Sequence, residues 1–463
     1  MADLAGLFGD LAEESAAKGA DAAETKAEAT VAQVLRVDAP ASTALVFCGS
    51  ADWVAAAKGA AGKVRQKAEG PNGEEFNAPV VVASLGGVRV LSLAVGPNAG
   101  HCLALTEAGA RAWGQNADGQ LGLGDKGAWC VPGPAPATLW DRDGDAAVSA
   151  AVGKNHTLVV YASGAAYSCG GGERGALGYG ERKAELPERQ TTPRAVALSG
   201  VAAVAAGVDF SLAATSGGAL YSWGWSEFGK LGQGDDGCYN TKDASIKLTY
   251  TAAGTPTKVR LPLAPKGGDG PPTSTGVVVQ VSAGKNHASA LCDDGVGFTW
   301  GDGSYGKLGH RAQADEHAPK ALEGARFSTL LCGDSSTAAL GWPEYRGRPF
   351  AKSAGDGMLY VWGVLKGTHG EGATHPVPNY DLQGWNIPKC NLALGAAHAA
   401  LAAEDAAVAF AQSPVAYGQL GYGDAGPKSS HRAQKAGRPR GIPRIRQSHI
   451  ELVEPRLFTD RPV

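Results

Sequence analysis

Trp113-Gly114-Gln115-Asn116-Ala117-Asp118-Gly119-Gln120-Leu121-Gly122-Leu123-Gly124-Asp125 reads as a strand end, a tight turn and a glycine-paced return. The phrase recurs. Cys169-Gly170 precedes Gly175-Ala176-Leu177-Gly178-Tyr179-Gly180, and Trp223-Gly224 precedes Gly229-Lys230-Leu231-Gly232-Gln233-Gly234. Trp300-Gly301 precedes Gly306-Lys307-Leu308-Gly309. Weaker copies open at Phe47-Cys48-Gly49, at Trp362-Gly363 and at Phe410-Ala411, the last closing on Gly418-Gln419-Leu420-Gly421-Tyr422-Gly423. Successive copies lie roughly 50 to 75 residues apart, near the length of a four-stranded propeller blade.

A second phrase alternates with the first: small apolar residues, Gly, a short turn, often His, then apolar alternation. It stands at Leu93–His101, Ala150–His156, Ala205–Phe210, Gly284–His287, Gly333–Ser335 and Gly395–His398. Each copy predicts a strand, a tight turn and a returning strand. The 67 glycines sit at repeat positions, so they mark turns rather than low complexity.

Bulk properties agree with a folded repeat. The chain has 463 residues, 44% apolar and 19% charged, with net charge −3. Charge is uneven: residues 1–33 hold seven acids and two lysines, and the segment from Lys428 holds nine Lys/Arg and three acids. We expect an acidic, Ala-rich disordered arm over 1–33 and a basic tail over 428–463. The propeller is expected over 44–427, with a polar connector at 61–80. The eight cysteines form no Cys-x-x-Cys pair, which predicts free thiols and no zinc site. No secretory signal or apolar run of membrane length occurs, so a non-secreted protein without a membrane partner is expected.

One long interruption covers 235–276 and contains two strand candidates, Ser245–Tyr250 and Thr257–Pro262. Insertions in repeat arrays project from one face, often the binding face. A second interruption, 341–357, carries Trp342, Tyr345, Arg346, Arg348 and Phe350.

Four stretches resemble the regulator of chromosome condensation repeat family, closest to the subgroup of the second regulator: Gly153–Leu158, Leu220–Gly224, Gly384–Ile387, and Tyr417–Asp424 with Pro427–Ser430. The resemblance implies an all-β, seven-bladed β-propeller. It also implies exchange-factor work on a small GTPase, in mitosis or in chromosome or cytoskeletal organisation. Nuclear or cytoplasmic, cytoskeleton-associated location follows from it. The chain departs from the family after Ser430, where no further strand–Gly–His–strand phrase occurs. Seven hairpin phrases face six strand–Gly phrases, so the last blade is incomplete unless Ile450-Glu451-Leu452-Val453-Glu454 fills it.

No catalytic constellation is present: no Gly-x-Ser-x-Gly elbow, His-Glu-x-x-His pair or Walker loop. The expectation is a binding protein without bond chemistry, cofactor or metal. His101, His156, His287 and His398 share one turn slot and read as structural, each ring bonding a neighbouring backbone. Trp113, Trp223, Trp300 and Trp362, each before Gly114, Gly224, Gly301 or Gly363, read as core. The resemblance implies partner contacts at polar turn positions, here Asn155, Asp209, Asn286 and Asp334. Lys242, Lys247, Tyr250, Lys258 and Arg260 of the insertion are candidate wedge or rim residues. Arg438, Arg440, Arg444 and Arg446 of the tail suit chromatin, DNA or microtubules by charge. The alternative is a scaffold without exchange activity that binds chromatin, microtubules or other proteins.

Overall fold

The computed structural model describes residues 46–50, 75–81, 88–126, 135–180, 186–240, 248–262, 274, 276–345, 348–349, 357–364, 372–379, 391–396, 398–402, 407–411 and 430–435. These form antiparallel sheets. The first is a pair, β1 (Val46–Ser50) with β2 (Glu75–Val81). Blade 1 is β3 (Val90–Ala94), β4 (His101–Thr106), β5 (Gly109–Gly114) and β6 (Ala135–Pro136). Blade 2 is β7 (Ala147–Val152), β8 (His156–Tyr161), β9 (Ala166–Gly171) and β10 (Arg189–Ala195). Blade 3 is β11 (Val201–Ala206), β12 (Phe210–Thr215), β13 (Leu220–Trp225) and, after the ribbon β14 (Cys238–Asn240) and β15 (Leu248–Tyr250), β16 (Ala252–Val259).

Blade 4 is β17 (Val278–Ala283), β18 (His287–Cys292), β19 (Gly297–Gly301) and β20 (Glu316–Ala321). Blade 5 is β21 (Ala325–Cys332), β22 (Ser336–Tyr345), β24 (Met358–Gly363) and β25 (Ala373–Asn379), with β23 (Arg348–Pro349) folded back on β22. Blade 6 is β26 (Asn391–Leu394), β27 (Ala399–Ala402), β28 (Ala407–Ala411) and β29 (Ser430–Lys435). The first strands β3, β7, β11, β17, β21 and β26 each contact the next in turn. That stacking is a β-propeller.

The two sequence phrases interlock between neighbouring blades. His156 Nε2 lies 2.9 Å from Ser211 Oγ of blade 3, and Ser211 Oγ donates to the Ala176 carbonyl of blade 2 at 2.8 Å. The same relay joins His101, Thr157 and the Gln120 carbonyl, and His287, Thr337 and the Lys307 carbonyl. Each hydroxyl spends its proton on the carbonyl, so Nε2–H must donate to it. The rings therefore bond a side-chain hydroxyl on the next blade, and the His156 ring is hydrogen-bonded in addition to the Phe210 backbone, the kind of partner expected. Where the slot holds Phe210, the residue in the hydroxyl position is Ala288, and both are fully buried. An aromatic ring without a donor is matched by a side chain without an acceptor.

The Gly-x-Leu-Gly phrase packs on the following blade's tryptophan. Trp223 Nε1 donates to the Ala176 carbonyl and Trp300 Nε1 to the Lys230 carbonyl. Gly232 holds φ +67°, and a Cβ there would stand 2.8 Å from Trp300 Nε1. Only glycine suits both the backbone and the contact. Trp223, Trp300 and Trp362 are buried as the sequence predicts. At about 25 cal/mol per Å² over roughly 200 Å², each contributes about 5 kcal/mol of gross burial. Blade 2 has Cys169 in this slot. Trp140, from the short 3-10 turn Thr138–Trp140, fills the space instead and donates to the Leu121 carbonyl at 3.0 Å.

Several boundaries differ from the sequence reading. The end of the expected connector, 75–80, forms β2 together with Val81. Ser430–Lys435, placed in the tail, form β29 against β28, because Val408, Ala409 and Ala411 offer a free strand edge there. The insertion is shorter than 235–276, since Ala252–Val259 is the fourth strand of blade 3. The hairpin phrase at Phe47-Cys48-Gly49 lies on β1, whose described partner is β2 alone. Residues 1–33, Gly418–Gly423, Arg346, Phe350 and Ile450–Glu454 lie outside the described residues. Cys102, Cys169, Cys238, Cys292 and Cys332 are free thiols. Among the described residues no helix is long and apolar enough to cross a membrane.

Candidate functional site

The strand–Gly turns all open at one end of the blades. Asn155 lies between β7 and β8, Asp209 between β11 and β12, and Asn286 between β17 and β18. Each carbonyl accepts an N–H just beyond the Trp-Gly or Cys-Gly phrase: Gly171, Trp225 and Asp302 at 2.8, 3.0 and 3.0 Å. Gly224 has φ +118°, and a Cβ there would stand 2.6 Å from the Asp209 carbonyl, so the phrase glycine lets the strand end meet the turn. Asp334 stands one position earlier in its turn, directly after Gly333, where the other copies carry Lys154, Val208 and Lys285. Its carboxylate lies 3.7 Å from Lys285 Nζ.

Asp209 is the electrostatic centre of this face. Its carboxylate receives Arg174 of blade 2 at 2.5 Å and Lys230 of its own blade at 2.7 Å. Lys230 is fully buried and also donates to Asn286 Oδ1 of blade 4 at 3.2 Å. Burial lowers the Lys230 pKa, and Asp209 opposes that shift. One carboxylate and one ammonium thus tie three blades at the turn end. Lys307, the same phrase position in blade 4, is also buried and reaches Asp302 at 2.5 Å and Ser304 at 3.0 Å.

Asn155 and Asp209 share a cleft of about 220 Å³ with Asp118, Arg174, Arg189 and Lys154. Arg189 closes one wall through Asp118 at 2.8 Å. A larger cleft of about 360 Å³, lined by residues of β20, β24 and β25, holds none of the expected site residues. Among the described residues no three His, Cys, Asp or Glu side chains converge as a metal site.

The insertion residues divide between the two ends. Register pairs Ala252 with Trp225 and Val259 with Leu220. Tyr250, on the ribbon, therefore stands at the turn face, its ring 6.1 Å from Trp225. Lys258 pairs with Tyr221 and, with Arg260, belongs to the opposite end. Those two are not part of a projecting wedge, because their segment is needed as the blade's fourth strand. Lys242, Lys247, Arg438, Arg440, Arg444 and Arg446 lie outside the described residues. The second interruption projects at the other end: β22 runs past Gly341 to Tyr345 and turns back at Arg348.

Sequence reading missed Arg174, Trp225 and Lys230. Arg174 sits at 5.0 Å over the Trp225 ring while paired to Asp209. The signal for Lys230 was its charge inside an otherwise apolar repeat phrase, where Ala176 shows that no charge is needed.

The regulator of chromosome condensation repeat model matches residues 112–160, 163–214, 217–291 and 294–340. Protein RCC2 from Homo sapiens is 31% identical, covering 92% of this chain and 78% of its own. The RCC2 homolog of Danio rerio is 32% identical over 78% of this chain and 70% of its own. Among solved structures, Prp20p from Saccharomyces cerevisiae, described with binding properties to Gsp1p and histones, superposes with a TM-score of 0.60 at 18% identity. It covers 86% of this chain and 87% of that one. With its interlocked blades and 31–32% identity to RCC2 proteins over most of its length, this chain belongs to the regulator of chromosome condensation repeat family.

Proposed function

We propose that the chain is a regulatory propeller that binds a small GTPase on its turn face and acts as a guanine nucleotide exchange factor. The observation that carries the reading is convergence. Asn155, Asp209 and Asn286, expected as contacts, open at the same blade end as the inserted β14–β15 ribbon. Exchange of this kind requires no bond chemistry. A partner face that binds the nucleotide-free GTPase better than the loaded one shifts the equilibrium by that difference in affinity. The Asp209–Lys230–Asn286 tie supports this use, because a face that must favour one partner state gains from rigid turns.

A role in mitosis, or in chromosome or cytoskeletal organisation, with nuclear or cytoplasmic location, is the setting proposed for this activity. The similarity to RCC2 proteins supports it. Release of fluorescent nucleotide from a panel of small GTPases tests the activity. Acceleration for at least one member is expected, and none across the panel contradicts it. A scaffold reading has its own support in Prp20p, a protein of this fold described with binding to histones as well as Gsp1p. Binding to nucleosomes without any nucleotide release favours the scaffold.

A further inference from the structure

The β14–β15 ribbon is a two-stranded sheet of three residues a side, paired with no other strand among the described residues. So short a pair is marginal in water, and what its root rests on decides where it points. The root is closely tied. Ser226 N–H donates to the Thr251 carbonyl at 3.1 Å, and the Thr251 N–H returns to Ser226 Oγ at 3.1 Å. The Gly237 carbonyl accepts the Thr251 N–H and the Thr251 hydroxyl, each at 3.1 Å. The Asp235 and Asp236 carboxylates accept the Gly237 and Cys238 N–H groups at 3.0 Å and turn the chain into β14.

These bonds clamp the two legs together at one point, and a second point of support is needed to fix the tilt. Trp225 supplies it. The Tyr250 ring meets the Trp225 ring edge to face at 6.1 Å. Arg174 of blade 2 lies over the same indole at 5.0 Å and is itself held by Asp209 at 2.5 Å. Register puts Tyr250 and Cys238 on this face of the ribbon, and Tyr239 and Thr249 on the other. Trp225 thus sets which face of the ribbon turns outward.

Both residues occupy repeat slots that the fold leaves open. The slot of Trp225 holds Gln115, Gly171 and Asp302 in other copies, and the slot of Arg174 holds Asp118, Phe228 and Tyr305. Among these copies the arginine and the tryptophan stand together only beside the blade that carries the ribbon. We infer that Arg174 and Trp225 are positioning residues. They hold the ribbon at a fixed angle on the turn face, so that a GTPase meets it preformed. A preformed ribbon loses no affinity to ordering on contact. This role depends on the turn face being the GTPase's docking face, as proposed above, and adds what holds the ribbon there.

Amide hydrogen exchange of the full chain reads the ribbon with no GTPase present. In Trp225→Ala and in Arg174→Ala, the N–H groups of 237–240 and 248–251 are expected to exchange about tenfold faster, with β11 and β12 unchanged. Nucleotide release from a responsive GTPase is then measured over a range of GTPase concentration. In both variants kcat is expected to fall about tenfold with KM within about twofold, the split that marks lost positioning rather than lost contact. Trp225→Phe keeps a ring against Tyr250 and is expected to restore both readouts. Arg194→Ala removes an arginine stacked on Tyr179 at 4.5 Å, on the outer strand of blade 2, and is expected to change neither. Unchanged hydrogen exchange of the ribbon in both alanine variants overturns the inference. So does a loosened ribbon with kcat intact, a rise in KM alone, or an equal loss in Arg194→Ala. If the wild type releases nucleotide from no GTPase, the exchange-factor reading falls. Hydrogen exchange alone then decides whether Arg174 and Trp225 hold the ribbon.

Discussion

The Lys230 ammonium is fully buried, 2.7 Å from the Asp209 carboxylate, and it reaches Asn286 of the next blade at 3.2 Å. Arg174 reaches the same carboxylate from a half-exposed position. The two cations therefore differ in what their loss leaves behind. Asp209→Asn strands a buried ammonium and should cost about 3–5 kcal/mol. Arg174→Ala removes a largely solvated partner and should cost about 1 kcal/mol or less. Urea denaturation of both variants checks the order. Equal losses would contradict the assignment of Lys230 as the tie between blades.

The repeat histidines give the fold an acid limit. Burial holds His101 and His287 down to about 3 and His156 to about 4, against an ordinary 6.5. The folded chain keeps these rings neutral while the unfolded chain protonates them. Stability is therefore whole above about pH 6.5 and falls as pH drops towards the folded values. Each ring should cost about 1.4 kcal/mol between about pH 7.5 and pH 5.5. The double variant His156→Phe with Ser211→Ala copies the Phe210–Ala288 pairing and should remove one such share. Denaturant titrations at the two pH values measure it, and an unchanged pH difference would refute the role.

Trp140 substitutes for the tryptophan missing at Cys169. Trp140→Ala should cost about 3–5 kcal/mol, as for a buried Trp elsewhere in the array. Trp140→Phe keeps most of the volume but leaves the Leu121 carbonyl unpaired, for about 1–3 kcal/mol. A small effect of Trp140→Ala would show that the slot is not part of the core.

Val95 and Ala206 occupy the same repeat position, just before Gly96 and Gly207, yet Val95 is 50% exposed and Ala206 only 6%. Leu91 on the same strand is 46% exposed. Blade 1 thus presents an apolar face that the other blades bury. Val95→Asp should change the melting temperature little, whereas Val204→Asp in the matching buried position of Leu93 should cost more than about 4 kcal/mol. A large loss in Val95→Asp would show that this face is covered.

Much of the fold was legible because the propeller writes each blade twice, once as Gly-x-Leu-Gly and once as strand–Gly–His. Among the described residues, the mismatch of seven and six phrases corresponds to the two-stranded β1–β2 sheet beside six blades that each contain four strands in order. Trp140 was not legible, since a tryptophan on a 3-10 turn outside the repeat reaches its slot only through packing. Lys258 and Arg260 were misplaced for a related reason. Length alone marks 235–276 as inserted, whereas the register with β13 claims Ala252–Val259 for the blade. Lys230 was hidden because a buried lysine inside a repeat phrase gives no local sign of which carboxylate it meets.

The central claim, that the turn face engages the GTPase, is tested most directly by nucleotide release with one variant at each end of the blades. Asn155→Arg changes the turn face, and Lys258→Glu changes the opposite end. The account predicts that wild-type acceleration is abolished by Asn155→Arg and kept by Lys258→Glu, with both proteins folded by melting temperature. Acceleration that survives Asn155→Arg but is lost in Lys258→Glu would contradict it.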